Sequence, residues 1–246
     1  MSEIIMSETE KQQFTEFKRK LGLQAAQAQV NKIEYNLCDA AVEKGTLRRA
    51  CQDANVLKLG GICVLPALVK PCAAFLGSNR KTLLIACISF PHGGDSLKTK
   101  KSAIKNAVKD GADEVEVTIP VSYLKDGNLA YVRREFKKLK RSAGKKTVRI
   151  NIESALLVPQ EITRVCALAA DCGITSLRSS SGAYGGGFDG ETIMRMKSAV
   201  KDKCIIKADG VTNIADMNTA VDMGAGVIGC KNASDLARMI LQTAEN

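Results

Sequence analysis

Apolar residues recur along this chain in two alternating rhythms. Short β-branched runs read as buried strands, and between them lie longer stretches with helical spacing. The strand runs are Lys32–Leu37, Gly61–Pro66, Leu83–Phe90, Glu114–Pro120, Thr147–Glu153, Ile174–Ser179, Cys204–Asp209 and Ala225–Cys230. In "SLKTKKSAIKNAVKDGA", Ala103, Ile104, Ala107 and Val108 share one stripe, Lys occupies the other face, and Gly111 marks the stop. "PQEITRVCALAADCG" begins at Pro159 and closes at Gly173. "NIADMNTAVDMGA" starts at an Asn cap and ends at Gly224. A last helix is predicted from about Ala233 to Thr243, and an additional one from about Thr9 to Ala26, ahead of the first strand.

Eight strands alternating with helices predict a (β/α)8 TIM barrel over 31–246, with 1–30 an N-terminal helical extension capping the barrel bottom. A doubly wound open sheet is the other arrangement of such elements. It would put a dinucleotide fingerprint after the first strand, where "CDAAVEKG" stands instead. With no linker and no shift in composition, 1–246 reads as one domain.

Composition narrows the classes. The 246 residues include no Trp and few aromatics, so Ile, Val, Leu, Ala and Met must form the core. No apolar run is long enough to span a bilayer, and "MSEIIMSETEKQQ" lacks the pattern of a signal peptide, so the cytoplasm is the expected location. Nine Cys stand singly in apolar runs, without C-x-x-C or other metal-ligand spacing. They read as small buried hydrophobes, and no metal is expected. The net charge of +10 comes mainly from Lys in helix-like segments, where it reads as solvated faces. Attraction for small anions is the sharper reading. Nucleic acid is not supported as a partner, since no basic aromatic strand or recognition motif is present.

In a barrel, strand C-termini and the loops after them converge on one mouth. Read this way, the mouth collects Glu34, Asn36, Cys63, His92, Glu116, Glu153, Arg178, Lys207, Lys231 and Asn232. Glu116, Arg178 and Lys207 are charges inside otherwise apolar strands, a costly placement unless they pair. Lys207, desolvated beside Arg178, should have a lowered pKa, the condition for a Schiff-base nucleophile. Arg178 stays protonated and cannot take that role. Glu116 could relay protons or simply pair with Arg or Lys. The turn after Arg178, with Ser181 and Gly182, and the loops with Gly210, Lys231 and Asn232 are candidate anion holders. "PHGGD" around His92, the only His, reads as a turn leading into a helix cap.

Several of these blocks resemble the deoxyribose-phosphate aldolases. "SFPHGGD" followed by "AVKDGADEVEVTIPVSYLKDGN" is the most specific part, supported by "GGICVLPALV", "VRINIES", "GITSLRSSSG" and "IIKADGVTN". The likeness runs from about Lys32 to the C-terminus. It implies a (β/α)8 fold and reversible cleavage of 2-deoxyribose 5-phosphate to acetaldehyde and glyceraldehyde 3-phosphate, with no metal or cofactor. It also implies a Schiff-base Lys on the sixth strand, a second Lys on the seventh and an assisting Asp on the fourth.

Here the sixth-strand position carries Arg178 and the fourth carries Glu116. The first-strand Asp-x-Thr motif reads Glu34-Tyr35-Asn36, the phosphate-loop Gly pair is reduced to Gly210, and the Ser-rich turn reads Cys230-Lys231-Asn232. Only Lys207 matches outright. Two readings follow. One is an aldolase-type carbon–carbon lyase acting through Lys207 on a small phosphorylated or anionic carbonyl compound or sugar, with Glu116 and Arg178 assisting. The other is an inactive relative that binds an anionic sugar or serves a regulatory role. A homodimer is the general expectation for assembly.

Overall fold

The computed structural model describes residues 8–245. The opening residues read above for a signal peptide lie largely outside this range. Eight parallel strands close in sequence order: β1 (Ile33–Leu37), β2 (Gly61–Val64), β3 (Leu83–Ile88), β4 (Glu114–Thr118), β5 (Thr147–Asn151), β6 (Ser176–Arg178), β7 (Ile205–Asp209) and β8 (Val227–Cys230). β8 pairs back onto β1 through Glu34↔Gly229 and Tyr35↔Cys230. This is the (β/α)8 barrel that the alternation predicts.

The helices are α1 (Glu8–Val30), α2 (Lys44–Leu57), α3 (Val69–Leu76), α4 (Leu97–Lys109), α5 (Val121–Lys125), α6 (Leu129–Ala143), α7 (Pro159–Asp171), α8 (Gly190–Val200), α9 (Ile214–Asp222) and α10 (Ala233–Glu245). Their ends follow local chemistry. The Ser96 side chain caps α4 by accepting the Thr99 N–H at 3.2 Å, and Asn213 caps α9 by accepting the Asp216 N–H at 2.9 Å. Pro159 opens α7 as expected, and the Glu161 carboxylate reaches back to the Val158 N–H at 2.9 Å.

α1 packs along α10 in the outer ring. The barrel floor is a 240 Å³ cavity lined by strand starts, among them Glu34, Glu114 and Arg149, and by no residue of α1. The apolar face of α1, with the buried Ala26 and Val30, joins the main apolar layer, and the residues that follow it, Asn31 and Lys32, reach the floor cavity.

Alternation along each strand sorts residues between two environments. Outward positions such as Ile62, Leu84, Val115, Ile150, Leu177 and Ile206 join one large apolar layer beneath the helices. Inward positions are largely polar. The register sets Glu116 beside Cys87 and Arg149, Asn151 beside Arg178, and Arg178 beside Lys207. Apolar burial between sheet and helices holds the barrel closed, and charge fills its interior.

Candidate active site

Arg178 ends β6, and its guanidinium is fully buried. It donates through Nη1 to Glu116 and through Nη2 to Asp209, while Nε reaches Asp209 Oδ2 at 2.8 Å and the Ser180 carbonyl at 2.7 Å. Both edges of the fork are therefore occupied by carboxylates. Burial would lower the Arg178 pKa, but Asp209 and Glu116 overcome it and hold the group permanently charged.

Lys207 has no exposed surface. Its Nζ lies 2.8 Å from Glu34 Oε2 and 3.3 Å from Glu116 Oε2, and donates to Asn36 Oδ1 at 3.0 Å. This corrects the expected pKa. Burial pulls the amine down and Arg178 adds a smaller push the same way, but Glu116 and Glu34 together drive it above the ordinary value. The sequence put Arg178 beside Lys207 but did not reveal two carboxylates converging on the amine. Two carboxylates within 3.3 Å favour the ammonium form of Lys207, whereas a nucleophile must be a free amine.

Arg149 completes the network and was not among the residues singled out from sequence. It spans Glu34 at 2.6 and 2.8 Å, Glu116 at 3.3 Å and Glu114 at 3.1 Å. Its signal was available: Arg149 sits between Val148 and Ile150 as Glu116 sits between Val115 and Val117. Burial would raise the carboxyls of Glu34 and Glu116, but Arg149 and Lys207 at Glu34, and Arg178, Lys207 and Arg149 at Glu116, hold both below the ordinary range.

Above this network opens a 450 Å³ cavity at the C-terminal mouth. The loops after β1, β6, β7 and β8 wall it, and Asn36, Phe90, Arg178 and Asp209 also line it. Of the residues predicted from sequence, Asn36, Arg178, Ser181, Gly182, Gly210, Lys231 and Asn232 line this cavity. Glu34, Cys63, Glu116, Glu153 and Lys207 do not. Glu34 is the second residue of β1, so it lies deeper in the barrel, at the floor cavity, rather than at the mouth. Glu153 accepts from Ser181 Oγ at 2.9 Å and thereby holds the turn. Its carboxyl is raised by burial, against the hydrogen bonds from Asn151 and Ser181.

Asp209, the last residue of β7, lines the cavity, accepts from both Asn36 and Arg178, and was also missed. In "KADG" it reads as part of a turn. Gly229 makes this crowding feasible, because a Cβ there would fall 2.5 Å from Asp209 Oδ1 and 2.6 Å from Lys207 Cε. At the rim, Lys231 Nζ pairs with Asp39 at 2.9 Å, and Asn232 donates to the Thr212 carbonyl at 2.9 Å, tying the last two loops together. His92 is exposed and meets the Tyr184 hydroxyl at 2.5 Å, while the helix cap it precedes is made by Ser96.

The cysteines bring one more surprise. Cys38, Cys63 and Cys87 converge although no spacing in the sequence announces it, so the absence of a local ligand motif does not exclude a thiol cluster. Hydrogen bonding within the cluster holds the Cys38 thiol well below its ordinary value, and the same bonds, chiefly those with Cys38, hold Cys63 and Cys87 well above theirs.

No family profile matches the chain. Individual relatives do. The deoxyribose-phosphate aldolase of Metamycoplasma hominis is 33% identical over 202 residues, covering 82% of this chain and 92% of the relative. The chain belongs to the deoxyribose-phosphate aldolase family. The aldolase of Staphylococcus carnosus (strain TM300) is 30% identical over 198 residues, covering 80% of this chain and 90% of its own. Among solved structures, the aldolase QR15 superposes with a TM-score of 0.83 at 21% identity, covering 87% of this chain and 96% of that one. The deoxyribose phosphate aldolase of Aeropyrum pernix, described as a tetramer, gives 0.77 at 22% identity over 89% and 95% of the two chains. These structures share the fold. Within the deoxyribose-phosphate aldolase frame, this chain has the barrel, and its interior holds an ion network. No helix among the described residues is long and apolar enough to cross a membrane.

Proposed function

We propose that this chain is a member of the aldolase family that binds a small anionic or phosphorylated sugar at the barrel mouth and does not cleave it through a Schiff base. The observation that carries this reading is Lys207, fully buried, ion-paired to Glu34 and Glu116, and absent from the cavity wall. Attack on a carbonyl needs an uncharged amine within reach of the substrate. Here Glu34 and Glu116 favour the charged amine, and Asn36, itself bonded to Asp209, stands between it and the cavity.

The cavity keeps features of a sugar site. Asn36, Arg178 and Asp209 offer donors and acceptors side by side at its base, suited to vicinal hydroxyls. At the rim, Lys231 and the start of α10 favour a negative group, since the first amides of a helix lack intrahelical partners. Lys231 is 70% exposed and, among the described residues, pairs with Asp39, so an anion could displace that contact at small cost.

Calorimetric titration with 2-deoxyribose 5-phosphate and related sugar phosphates, run beside an acetaldehyde-release assay, tests the reading. It expects saturable one-to-one binding that weakens with salt and with Lys231→Ala, and no acetaldehyde. Acetaldehyde released above the uncatalysed rate, or no binding by any sugar phosphate, would overturn it.

A further inference from the structure

Two neighbouring strands and the residue just after a third bring one cysteine each to a single point. Cys63 and Cys87 point into the barrel from β2 and β3, and Cys38 stands two residues beyond the inward-facing Asn36 of β1. The Sγ of Cys87 is 3.2 Å from that of Cys38 and 3.2 Å from that of Cys63, and all three ligand atoms lie within 4.8 Å of one another. The molecule holds a useful contrast. Cys51 and Cys72 also meet, at 3.5 Å, but no third His, Cys or carboxylate among the described residues joins them. They form a packing contact.

We propose that Cys38, Cys63 and Cys87 form a thiolate site for zinc(II). A Zn–S bond is about 2.3 Å, which places sulfurs around one ion about 4 Å apart, so the two close pairs need open by less than about 1 Å. Thiolate donors select soft or borderline cations such as zinc over magnesium or calcium. An entry path exists, because Cys38 lines the mouth cavity while Cys63 and Cys87 are buried behind it. Two charged groups of the barrel network touch the cluster. Glu116 Oε1 lies 3.3 Å from Cys87 Sγ and 3.9 Å from Cys63 Sγ, and Arg178 Nη1 lies 3.8 Å from Cys87 Sγ.

Charge decides between candidate ions. Three thiolates with a monovalent ion carry two uncompensated charges in a buried place, and with a divalent ion only one, so the divalent ion leaves the smaller buried charge. Binding breaks three S–H bonds, forms three Zn–S bonds and releases three protons to the buffer. Three protein ligands leave a fourth position for water or a ligand, as in zinc sites that are not purely structural. The site stands independently of which sugar, if any, the cavity takes.

The test uses the full chain, reduced and freed of metal, titrated with zinc(II) against a chromophoric indicator and then with cobalt(II). One zinc per chain is expected, with thiolate-to-cobalt charge-transfer bands in the visible and near-ultraviolet spectrum. Cys38 is only partly buried, so Cys38→Ser should fold and lose affinity by more than the about 10–100-fold that changes in supporting residues cost. Cys172→Ser, far from the cluster, should bind as the parent does. Absence of stoichiometric binding, cobalt spectra without thiolate bands, or affinity unmoved by Cys38→Ser would each overturn the assignment. Oxidation of the cluster to a disulfide that added zinc does not slow would also count against it.

Discussion

Replacing Lys207 by Met separates a structural ion from a catalytic amine without changing the shape of the side chain much. Lys207 is one of three cations, with Arg149 and Arg178, that neutralise Glu34 and Glu116 inside the barrel. Removing one partner from a buried ionic set typically costs about 3–5 kcal/mol, because the remaining charge is stranded. Arg149 still binds Glu34 bidentately, and Arg178 still binds Glu116, so the lower end applies, about 3 kcal/mol. For a chain of this length, each kcal/mol moves the midpoint by roughly 2–4 °C, so thermal unfolding followed by circular dichroism at neutral pH should show a drop of about 6–12 °C. The deficit should shrink as pH falls into the carboxylate range, where protonation removes the stranded charge. A neutral catalytic lysine would behave in the opposite way. Its removal would relieve a desolvated amine and leave stability unchanged or raised, and that result would refute the reasoning.

Other consequences follow from the same network. Arg178→Lys should not create aldolase activity, because Glu116 and Asp209 would keep the new amine protonated. A coupled assay for glyceraldehyde 3-phosphate should stay at background, and only addition of Asp209→Ala begins to free that amine. The folded pKa values of Glu34 and Glu116 lie below the ordinary 4.5, so their stabilisation is present above that value and is lost as pH falls through the lower folded values. Urea unfolding between pH 7 and pH 3 should show this loss, and Glu116→Gln should flatten it. Gly210→Ala places a Cβ 2.9 Å from Gly187 C and Phe188 N at a φ of +78°, so it should cost about 1–3 kcal/mol and weaken ligand binding by displacing the loop after β7.

The architecture was legible because the strands carry dense β-branched runs and the helices carry stripes and caps, as in α4 with Ser96 and α9 with Asn213. The packing of α1 along α10 was not, since an amphipathic face shows that a helix packs but not against what. Within the site, Glu116, Arg178 and Lys207 stood out as charges in apolar strands. Arg149 carried the same signal and was passed over because β5 was read at its end, at Glu153. Asp209 was hidden in a stretch that reads as a turn. The electrostatic sign at Lys207 was out of reach, because it depends on two carboxylates from β1 and β4 meeting one amine from β7. The cysteine cluster was hidden for the same reason: barrel closure joins residues that are remote in sequence.

The most direct test of the central claim is borohydride reduction of the protein in the presence of acetaldehyde or 2-deoxyribose 5-phosphate, followed by intact-mass and peptide analysis. A buried, ion-paired Lys207 predicts no reduced adduct on its peptide at concentrations that saturate the cavity. An adduct that maps to Lys207 and disappears in Lys207→Met would contradict the account and restore a Schiff-base aldolase.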